Sequence, residues 1–460
     1  KSNPTNYRSI AIQNPFLKIL TSILASRISN YAENNHLFPD FQFGFRKSRS
    51  TVSAATLLFE AINQRLKSKP KSQKTYVCFV DFAKCFDSIR RDLLLIKLQT
   101  LGFPTALCKL LHFIYAHTKF YIRSGIHLVE AFETTIGLPQ GCCLSPILFC
   151  LFVSDLPNCL PHRGVSCGSI FLKYLQFADD LALIADSAAE LQLAINCLAK
   201  YCDENYLTIN VEKTKVIVFH KGRLPKCNFY LHDKEIEQVT SFVYLGFTFT
   251  TQLCFTKHAE NLNAKASSKC GILFSKLSNY NFPLHILLDL FNCYILPTYR
   301  YGLSLWLGRT SDGVMTSIDA VFTKYLKRYL GVTYRANNSI THFITHTEPL
   351  SNVLKNLYPQ SYNSLSFPSC LSGLKLTQET IQTLQYDPIP LVPSYFWHSR
   401  YPGHLPTYAN SRRLLCQDIY DLYHQNFCTN TTFHVRPDND CTCIDCGNLV
   451  SHYHSYFCHQ

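Results

Sequence analysis

The sequence is poor in charged residues, and acidic residues are the scarcer kind. Asp, Glu, Lys and Arg make up 16% of the 460 residues, whereas 47% are hydrophobic. This composition supplies enough apolar material for a sizeable core and excludes a chain that is disordered as a whole. Forty-four Lys and Arg against 31 Asp and Glu leave a formal net charge of +13. That excess favours a polyanionic partner, either nucleic acid or an anionic membrane surface.

Long apolar runs are also missing. The longest one extends roughly from Cys142 to Val153 and is interrupted by Ser145 and Pro146. It falls short of the roughly 20 residues that a spanning helix needs, so we expect no transmembrane segment and no membrane partner of that kind. The chain opens at Lys1 without an initiator Met and without a signal-peptide pattern, and we therefore expect it to be a fragment.

Cysteine, in contrast, is abundant. The 21 cysteines are odd in number and are scattered through apolar stretches of the chain. Buried, unpaired thiols behave as small hydrophobic residues, and disulfides are rare in reducing compartments. The distribution therefore favours reduced intracellular thiols, with one metal-binding cluster near the C-terminus as the exception.

Hydrophobic periodicity predicts a region of mixed elements that is followed by helices. Helix-like spacing over 14–35 and 52–66 precedes a buried-strand pattern over 76–81, and strands alternate with helices through about residue 250. This alternation predicts an α/β or α+β sheet domain. Two further helices are predicted over 257–280 and 283–301. A length of 460 residues also exceeds the usual size of one core, so two or more packed units are expected.

The excess positive charge is concentrated in two zones. Residues 1–75 carry twelve basic side chains against three acidic ones, and residues 256–336 carry ten against four. For a charge run taken alone, a solvated helix face is the simpler interpretation. In a chain that acts on nucleic acid, the same zones would hold phosphates.

Three aspartates lie where predicted strands end. Asp81 ends a buried strand, while Asp179 and Asp180 form the tip of a predicted hairpin. Carboxylates that converge there would hold two divalent cations about 3.5–4 Å apart for in-line phosphoryl displacement, and Mg²⁺ is the natural choice. Any one Asp is more simply a turn or cap residue. The order of the surrounding sequence decides between these interpretations.

The successive sequence blocks from residue 6 to about residue 250 resemble the reverse transcriptase of non-LTR (LINE-type) retrotransposons. Seven blocks stand in that family's order, which makes a chance match very improbable. The blocks are NYRSI (6–10), QFGFRKSRST (42–51), FVDFAKCFD (79–87), GLPQGCCLSP (137–146), FADD (177–180), LTINVEKTK (207–215) and YLG (244–246).

This resemblance implies an α+β, right-hand polymerase fold with fingers, palm and thumb, followed by a small zinc-binding tail. The implied domains are fingers and palm over 1–250, a helical thumb over 251–345, a linker or irregular connector over 346–410 and a zinc-knuckle-like region over 411–460. Ser- and Pro-rich composition over 361–400 agrees with the linker.

The resemblance also implies roles for individual residues. Asp81 and Asp179 would bind two Mg²⁺ ions, with Asp180 assisting. Phe86 would pack under the incoming sugar and exclude a 2′-hydroxyl, with ordinary core packing as the alternative. Gln140 would lie against nucleotide and template, beside Gly141, where a glycine lets the backbone approach closely; a simple structural turn is the alternative.

Three basic residues match positions that handle the triphosphate. Arg8 and Arg46 match finger positions, where a planar guanidinium suits phosphate oxygens; Lys47 and Arg49 are alternatives. Lys213 matches a lysine that would protonate the departing pyrophosphate. Lys215 stands two residues away and leaves that choice open.

The C-terminal end is rich in zinc-ligand types. Cys443, Cys446, His454 and Cys458 form the predicted Zn²⁺ site, with His452 as the alternative to His454. The cluster resembles the Cys-Cys-His-Cys knuckle that follows the polymerase in many non-LTR elements. That knuckle usually has four residues between the His and the last Cys, whereas His454 leaves three and His452 leaves five. Scattered, unligated Cys and His residues are the competing interpretation.

The function implied is that of an RNA-directed DNA polymerase that copies element RNA from a primer at a nicked DNA target. Its partners would be an RNA template, a DNA primer or target, and deoxynucleoside triphosphates. Integration requires the nucleus, and a cytoplasmic ribonucleoprotein is a second location. The alternative is a catalytically silent, domesticated or decayed relic that still binds nucleic acid. An intron maturase is disfavoured because FADD and the Cys/His tail are LINE-type.

Overall fold

The computed structural model describes residues 10–363, with gaps at 69–72, 125–126, 168–169, 223–225 and 278–281, together with residues 365 and 367. These residues divide into two compact units. Residues 10–260, 301–310 and 358–363 form the first unit, and residues 261–300 and 311–357 form the second. Among the described helices, none is both long enough and apolar enough to cross a membrane.

The described residues between 10 and 250 combine helices and strands, which confirms the predicted mixture. The helices are α1 (Pro15–Asn34), α2 (Thr51–Lys67), α3 (Cys85–Ser88), α4 (Arg91–Thr100), α5 (Thr105–Ala116), α6 (Ser145–Phe152), α7 (Leu156–Cys159) and α8 (Ala188–Glu204). The strands are β1 (Thr75–Val80), β2 (Arg123–Ser124), β3 (His127–Leu128), β4 (Val165–Cys167), β5 (Ile170–Leu172), β6 (Tyr174–Phe177), β7 (Asp180–Ala185), β8 (Lys215–Phe219), β9 (Phe229–Leu231), β10 (Lys234–Gln238), β11 (Ser241–Tyr244) and β12 (Phe247–Thr250).

The rest of the described chain is helical. Its elements are α9 (Thr256–Leu277), α10 (Leu284–Leu290), a π-helical turn (Phe291–Ile295), α11 (Leu296–Arg300), α12 (Leu303–Trp306), α13 (Asp312–Leu330), α14 (Asn338–Ile344) and α15 (Leu350–Asn363).

A six-stranded sheet forms the centre of the first unit. Its strand order is β6-β7-β1-β8-β10-β9, and β1 runs antiparallel to both of its neighbours. Every residue of β1 is buried. Its alternate residues, such as Cys78, belong to a core shared with α4, α6 and α8. On the opposite face, the ring of Phe79 stacks on Phe242 with centroids 4.8 Å apart. Burial on both faces explains why β1 reads as an unbroken apolar run.

The two N-terminal helices begin where the sequence predicts. Before α1, the Asn14 side chain accepts a hydrogen bond from the backbone N–H of Phe16, and Pro15 occupies the first turn. Before α2, the Ser50 hydroxyl accepts from the N–H of Ser53 at 3.0 Å. These oxygens satisfy backbone donors that a helix start leaves unpaired. Capping and periodicity together therefore set both helices.

Two segments differ from the prediction. The continuous helix predicted over 283–301 is interrupted by the π-helical turn, where Phe291 and Ile295 are buried. In the second unit, the Phe291 ring packs against Phe322 and Tyr325 at 4.5 and 5.1 Å. Tertiary packing of this kind is invisible to helical periodicity. Helix α15 lies inside the range predicted as a linker and contains Pro359 within its last two turns.

Buried and half-buried polar groups connect helices of the second unit. The Asp319 carboxylate on α13 accepts from the backbone N–H and the hydroxyl of Ser351, at 2.7 and 2.8 Å. The His342 ring lies between the hydroxyls of Thr323 and Thr347, 2.9 Å from each. These bonds tie α13 to α14 and to the start of α15. The cysteines of the described residues are free thiols.

Candidate active site

The three predicted aspartates lie at adjacent strand ends of the central sheet. Asp81 directly follows β1. Asp179 lies in the turn between β6 and β7, and Asp180 is the first residue of β7. Because Val80 pairs with Leu181 across β1 and β7, the next position outward brings Asp81 beside Asp180. Antiparallel neighbours thus bring carboxylates 99 residues apart in sequence to one edge of the sheet.

The backbone around Asp81 is fixed by the segment that leads into β8. The N–H of Asp81 donates to the Thr214 hydroxyl at 3.2 Å, and its carbonyl accepts from the N–H of Asn210 at 2.8 Å. One residue further, Phe82 pairs with Ile209 in an isolated antiparallel bridge. The LTINVEKTK block therefore holds the first aspartate in place. Its side chain stays accessible, at 39% exposure.

Lys213 and Lys215 have different partners. The Lys213 Nζ lies 3.9 Å from Asp81 Oδ2, and its side chain is 70% exposed. Lys215 Nζ instead pairs with Glu237 Oε2 at 2.7 Å across β8 and β10. The lysine beside the candidate site is thus Lys213 and not Lys215.

The pKa shifts of two neighbouring residues show what lies near the Asp179 and Asp180 carboxylates. Burial raises the pKa of the Cys85 thiol, and the negative charge of Asp179, which accepts a hydrogen bond from this thiol, raises that pKa further. Cys85 lies four residues after Asp81. Likewise, burial raises the pKa of Tyr244 and the charge of Asp180 adds to the effect. Asp179 therefore contacts the FVDFAKCFD block, and Asp180 lies near the YLG block.

The YLG turn is itself anchored within the first unit. The Tyr301 hydroxyl donates to the carbonyl of Leu245 at 2.7 Å and shares a second hydrogen bond with the Thr51 hydroxyl at 2.9 Å. Its ring stacks on Phe247 with a centroid distance of 5.0 Å. Sequence reasoning did not single out Tyr301, although its neighbour Gly302 marks a turn.

Three predicted substrate-binding residues, Phe86, Gln140 and Gly141, lie in the FVDFAKCFD and GLPQGCCLSP blocks. The Phe86 ring is partly buried, stacks on Phe149 at 4.7 Å and meets Phe45 edge-on at 6.4 Å. Gln140 Nε2 lies 3.5 Å from Asp87 Oδ1. Gly141 has a φ of +115°, and an added Cβ would stand 2.5 Å from the carbonyl oxygen of Ala11. Glycine is therefore required at position 141 for both conformation and space.

Arg46 is held by protein groups in this structure. Its Nε and Nη2 donate to both Glu33 oxygens, at 2.9 and 2.7 Å. Its Nη1 donates to the carbonyls of Pro39 and Gln42. Four of the five guanidinium donors are thus engaged, and the side chain is 8% exposed. A triphosphate contact from Arg46 would require part of this network to open. The other predicted finger residue, Arg8, lies outside the described residues.

Two glutamines that sequence reasoning missed hold the turn before Asp179. Gln42 Oε1 accepts from the backbone N–H of Ala178 at 3.2 Å and from that of Gly44 at 2.9 Å. From the other side, Gln176 Nε2 donates to the Ala178 carbonyl at 3.0 Å. Both glutamines are 1% exposed. A polar residue within the apolar pattern of β6 was the one available signal for Gln176.

The donor set at the sheet edge fits Mg²⁺ that is bound jointly with a nucleotide. Mg²⁺ prefers oxygen ligands and is commonly held by one or two carboxylates plus substrate phosphates. Within the described ranges, no group of three or more His, Cys, Asp or Glu is arranged to bind a metal by itself. The predicted zinc ligands Cys443, Cys446, His454 and Cys458, and the alternative His452, lie outside those ranges.

Comparison with known proteins identifies the class. The reverse transcriptase (RNA-dependent DNA polymerase) family matches residues 1–249, more than half of the chain, and the chain belongs to this family. Curated relatives of the chain include proteins of retrotransposable elements, which confirms the resemblance to non-LTR elements.

Particular relatives come from Drosophila. The probable RNA-directed DNA polymerase from transposon X-element of Drosophila melanogaster is 24% identical over 347 residues, which are 74% of this chain and 37% of that protein. The RNA-directed DNA polymerase from mobile element jockey of Drosophila funebris is 24% identical over 342 residues, 72% of this chain and 36% of that protein. The chain thus spans little more than a third of these relatives.

A solved structure gives a weaker match. The apo telomerase from Candida tropicalis has 13% sequence identity and a TM-score of 0.39, covering 80% of this chain and 61% of that one. A score at this level adds nothing to the family assignment.

Proposed function

We propose that this chain is an RNA-directed DNA polymerase of a non-LTR retrotransposon, which extends a primer 3′-hydroxyl by copying an RNA template. The observation that carries the proposal is the convergence of Asp81, Asp179 and Asp180 at one sheet edge, with Lys213 beside them. Relatives that are named RNA-directed DNA polymerases support the same reaction. We also propose that the primer is the nicked DNA target, which would place the chain in the nucleus.

The three aspartates would hold two Mg²⁺ ions together with the nucleotide phosphates. Bound there, the ions would stabilise negative charge on the attacking and leaving oxygens of an in-line displacement. The accessible Asp81 carboxylate can reach such a ligand, and the hydrogen bonds from Asn210 and to Thr214 keep its backbone fixed while ligands exchange. Positioned groups of this kind need no reorganisation during the reaction.

Other residues of the chain would orient and protonate the substrate. The exposed Lys213 ammonium could reach the departing pyrophosphate and supply it with a proton. Phe86, braced by Phe149, presents a fixed ring that would limit the space at the sugar 2′ position. Gln140 would lie against nucleotide and template, on a turn whose Gly141 packs against the Ala11 carbonyl. Template and primer would bind through phosphates, in keeping with the net charge of +13.

We also propose that the C-terminal residues Cys443, Cys446, His454 and Cys458 bind Zn²⁺ and that this site contributes to nucleic-acid binding. A purified chain would then contain about one zinc per molecule, and substitution of Cys443 and Cys446 by Ser would remove it. Metal analysis by mass spectrometry measures this directly. Zinc retained in the double Ser variant would contradict the assignment.

A templated extension assay tests the proposed polymerase. The chain is mixed with Mg²⁺, labelled deoxynucleotides and a DNA primer annealed to RNA, and the identity of the first added nucleotide is read for each of the four template bases. We expect addition that follows the RNA base and that weakens as salt is raised. Addition that ignores the template, or salt-dependent binding without any extension, would contradict the proposal; the second result would indicate a catalytically silent relic.

A further inference from the structure

Ala178, the residue immediately before Asp179, has an unusual backbone conformation. Its φ is +57°, in the left-handed region that non-glycine residues seldom occupy. Such a conformation persists only where surrounding groups impose it, and it is enriched at functional sites. Since Asp179 is attached to this residue, whatever fixes Ala178 also fixes the position of the Asp179 carboxylate.

The groups that fix Ala178 are the two buried glutamines. Gln42 accepts from its N–H and Gln176 donates to its carbonyl, so both peptide groups of the turn residue are bound by side-chain amides. We call this pair the glutamine clamp. The two residues also pair through their backbones, since Gln42 and Gln176 form an isolated parallel bridge. The N–H of Phe43 donates to the carbonyl of Gln176 at 2.7 Å.

The segment that carries Gln42 is held by further contacts of Arg46 and Gly44. Arg46 donates to the Gln42 carbonyl at 3.3 Å while it forms a two-point ion pair with Glu33 on α1. Gly44 lies against the turn so closely that an added Cβ would stand 2.2 Å from the Ala178 nitrogen. The clamp therefore connects the start of the fingers block to the metal-site turn through direct contacts.

Each glutamine of the clamp also has a buried polar atom that makes no hydrogen bond to the described residues, a cost that an apolar side chain would not carry. Gln42 Nε2 and Gln176 Oε1 are buried and have no hydrogen-bond partner among the described residues. Unpaired buried polar atoms are rare because they lose hydration without compensation. A methionine would fill nearly the same volume without that loss. The amides are thus explained by the bonds they make to the turn rather than by packing.

We propose that Gln42 and Gln176 are positioning residues that set the Asp179 carboxylate for metal binding and nucleotide addition. This inference rests on the proposed polymerase function. It assigns to the QFGFR block a task in shaping the metal site, in addition to any contact that the block makes with substrate.

The test compares Gln42→Met and Gln176→Met with Leu111→Ala. Leu111 is a fully buried residue of α5 that contributes no hydrogen bond to the turn, so its variant lowers stability without changing the clamp. Each protein is assayed for single-nucleotide addition at saturating substrate, for the KM of the deoxynucleotide, for thermal unfolding, and for Mn²⁺ affinity by the EPR signal of free Mn²⁺.

We expect either Met variant to lose about tenfold or more in kcat, because each removes one of the two side-chain hydrogen bonds that hold the Ala178 peptide groups. Mn²⁺ binding should weaken in parallel, whereas Leu111→Ala should keep both properties despite a lower unfolding temperature. Equal kcat and Mn²⁺ affinity in the Met variants and the wild type would overturn the proposal, as would losses that merely track the unfolding temperature in all three variants. If one Met variant does not fold, the other decides.

The experiment separates a failure of the proposed polymerase function from a failure of the proposed role of the glutamine clamp. A wild-type chain that adds no nucleotide would contradict the polymerase function, and the clamp would then be judged from Mn²⁺ affinity alone. A wild-type chain that extends primers, with Met variants that match it in every measurement, would contradict only the clamp.

Discussion

Replacing Gly44 with Ala should disturb the candidate active site without touching any of its charged groups. The new Cβ would lie 2.2 Å from the Ala178 nitrogen, 2.9 Å from its Cα and 3.0 Å from the carbonyl carbon of Phe177. All three are backbone atoms, so no side chain can swing away. Because the van der Waals contact distance between nonbonded heavy atoms is about 3.5 Å, the turn must move by about 1 Å.

A displacement of that size at a reacting group costs on the order of a hundredfold in rate. We therefore expect Gly44→Ala to lower the rate of single-nucleotide addition by about a hundredfold, with a smaller effect on the binding of primer and template. The assay is rapid-quench extension with enzyme in excess over primer, accompanied by thermal unfolding.

The matched control is Gly271→Ala. Gly271 lies within α9, and an added Cβ there would meet nothing within 4 Å. This variant should extend primers at the wild-type rate and gain slightly in stability, because Ala is the better helix former. Wild-type extension by Gly44→Ala would refute the reasoning, since it would mean that the turn does not need its present position.

Three further predictions concern specificity and stability. Phe86→Val should raise the incorporation of ribonucleotides relative to deoxynucleotides by roughly tenfold, because a smaller side chain leaves room at the sugar 2′ position; competition between the two nucleotides measures the ratio, and an unchanged ratio would contradict the role. Arg309→Met should destabilise the chain by about 3 kcal/mol in urea unfolding, because it removes the cation that lies 3.5 Å from the buried Glu60 carboxylate and the hydrogen bonds from that cation to the carbonyls of Ser304 and Leu305; unchanged stability would contradict this. Burial, aided by the charge of Lys327, lowers the pKa of His342 to about 4. The unfolded chain therefore binds the extra proton first, and stability should fall as pH drops from about 6.5 to 4; thermal unfolding should show a weaker pH dependence in His342→Gln, and an identical dependence would contradict the assignment.

Local patterns predicted the elements that carry the aspartates. The apolar run before Asp81 is β1, and the hairpin around Asp179 is β6 and β7, because a strand buried on both faces and a tight turn both leave signals within a few residues. The convergence of these strand ends, which the family resemblance implied, is found in the sheet. Local signals could not show that Lys215 is paired with Glu237, since that pairing depends on β10.

Long-range packing accounts for what the sequence could not reveal. Gln42 and Ala178 are far apart in the chain, and neither spacing nor periodicity connects them. The same holds for Arg46, whose match to a finger position gave no sign of its ion pair with Glu33. The break in the predicted 283–301 helix also has a tertiary cause, the burial of Phe291 among other rings. Side-chain partners set by topology, rather than local conformation, were the missing information.

The most direct test of the account is the rate of single-nucleotide addition by the Asp179→Asn variant. The control is Asp186→Asn, which removes the same charge from just beyond the opposite end of β7. With Mg²⁺ and a primed RNA template, Asp179→Asn should lose at least about a hundredfold in rate, whereas Asp186→Asn should match the wild type. Extension by Asp179→Asn at the wild-type rate would contradict the assignment of the active site to these strand ends.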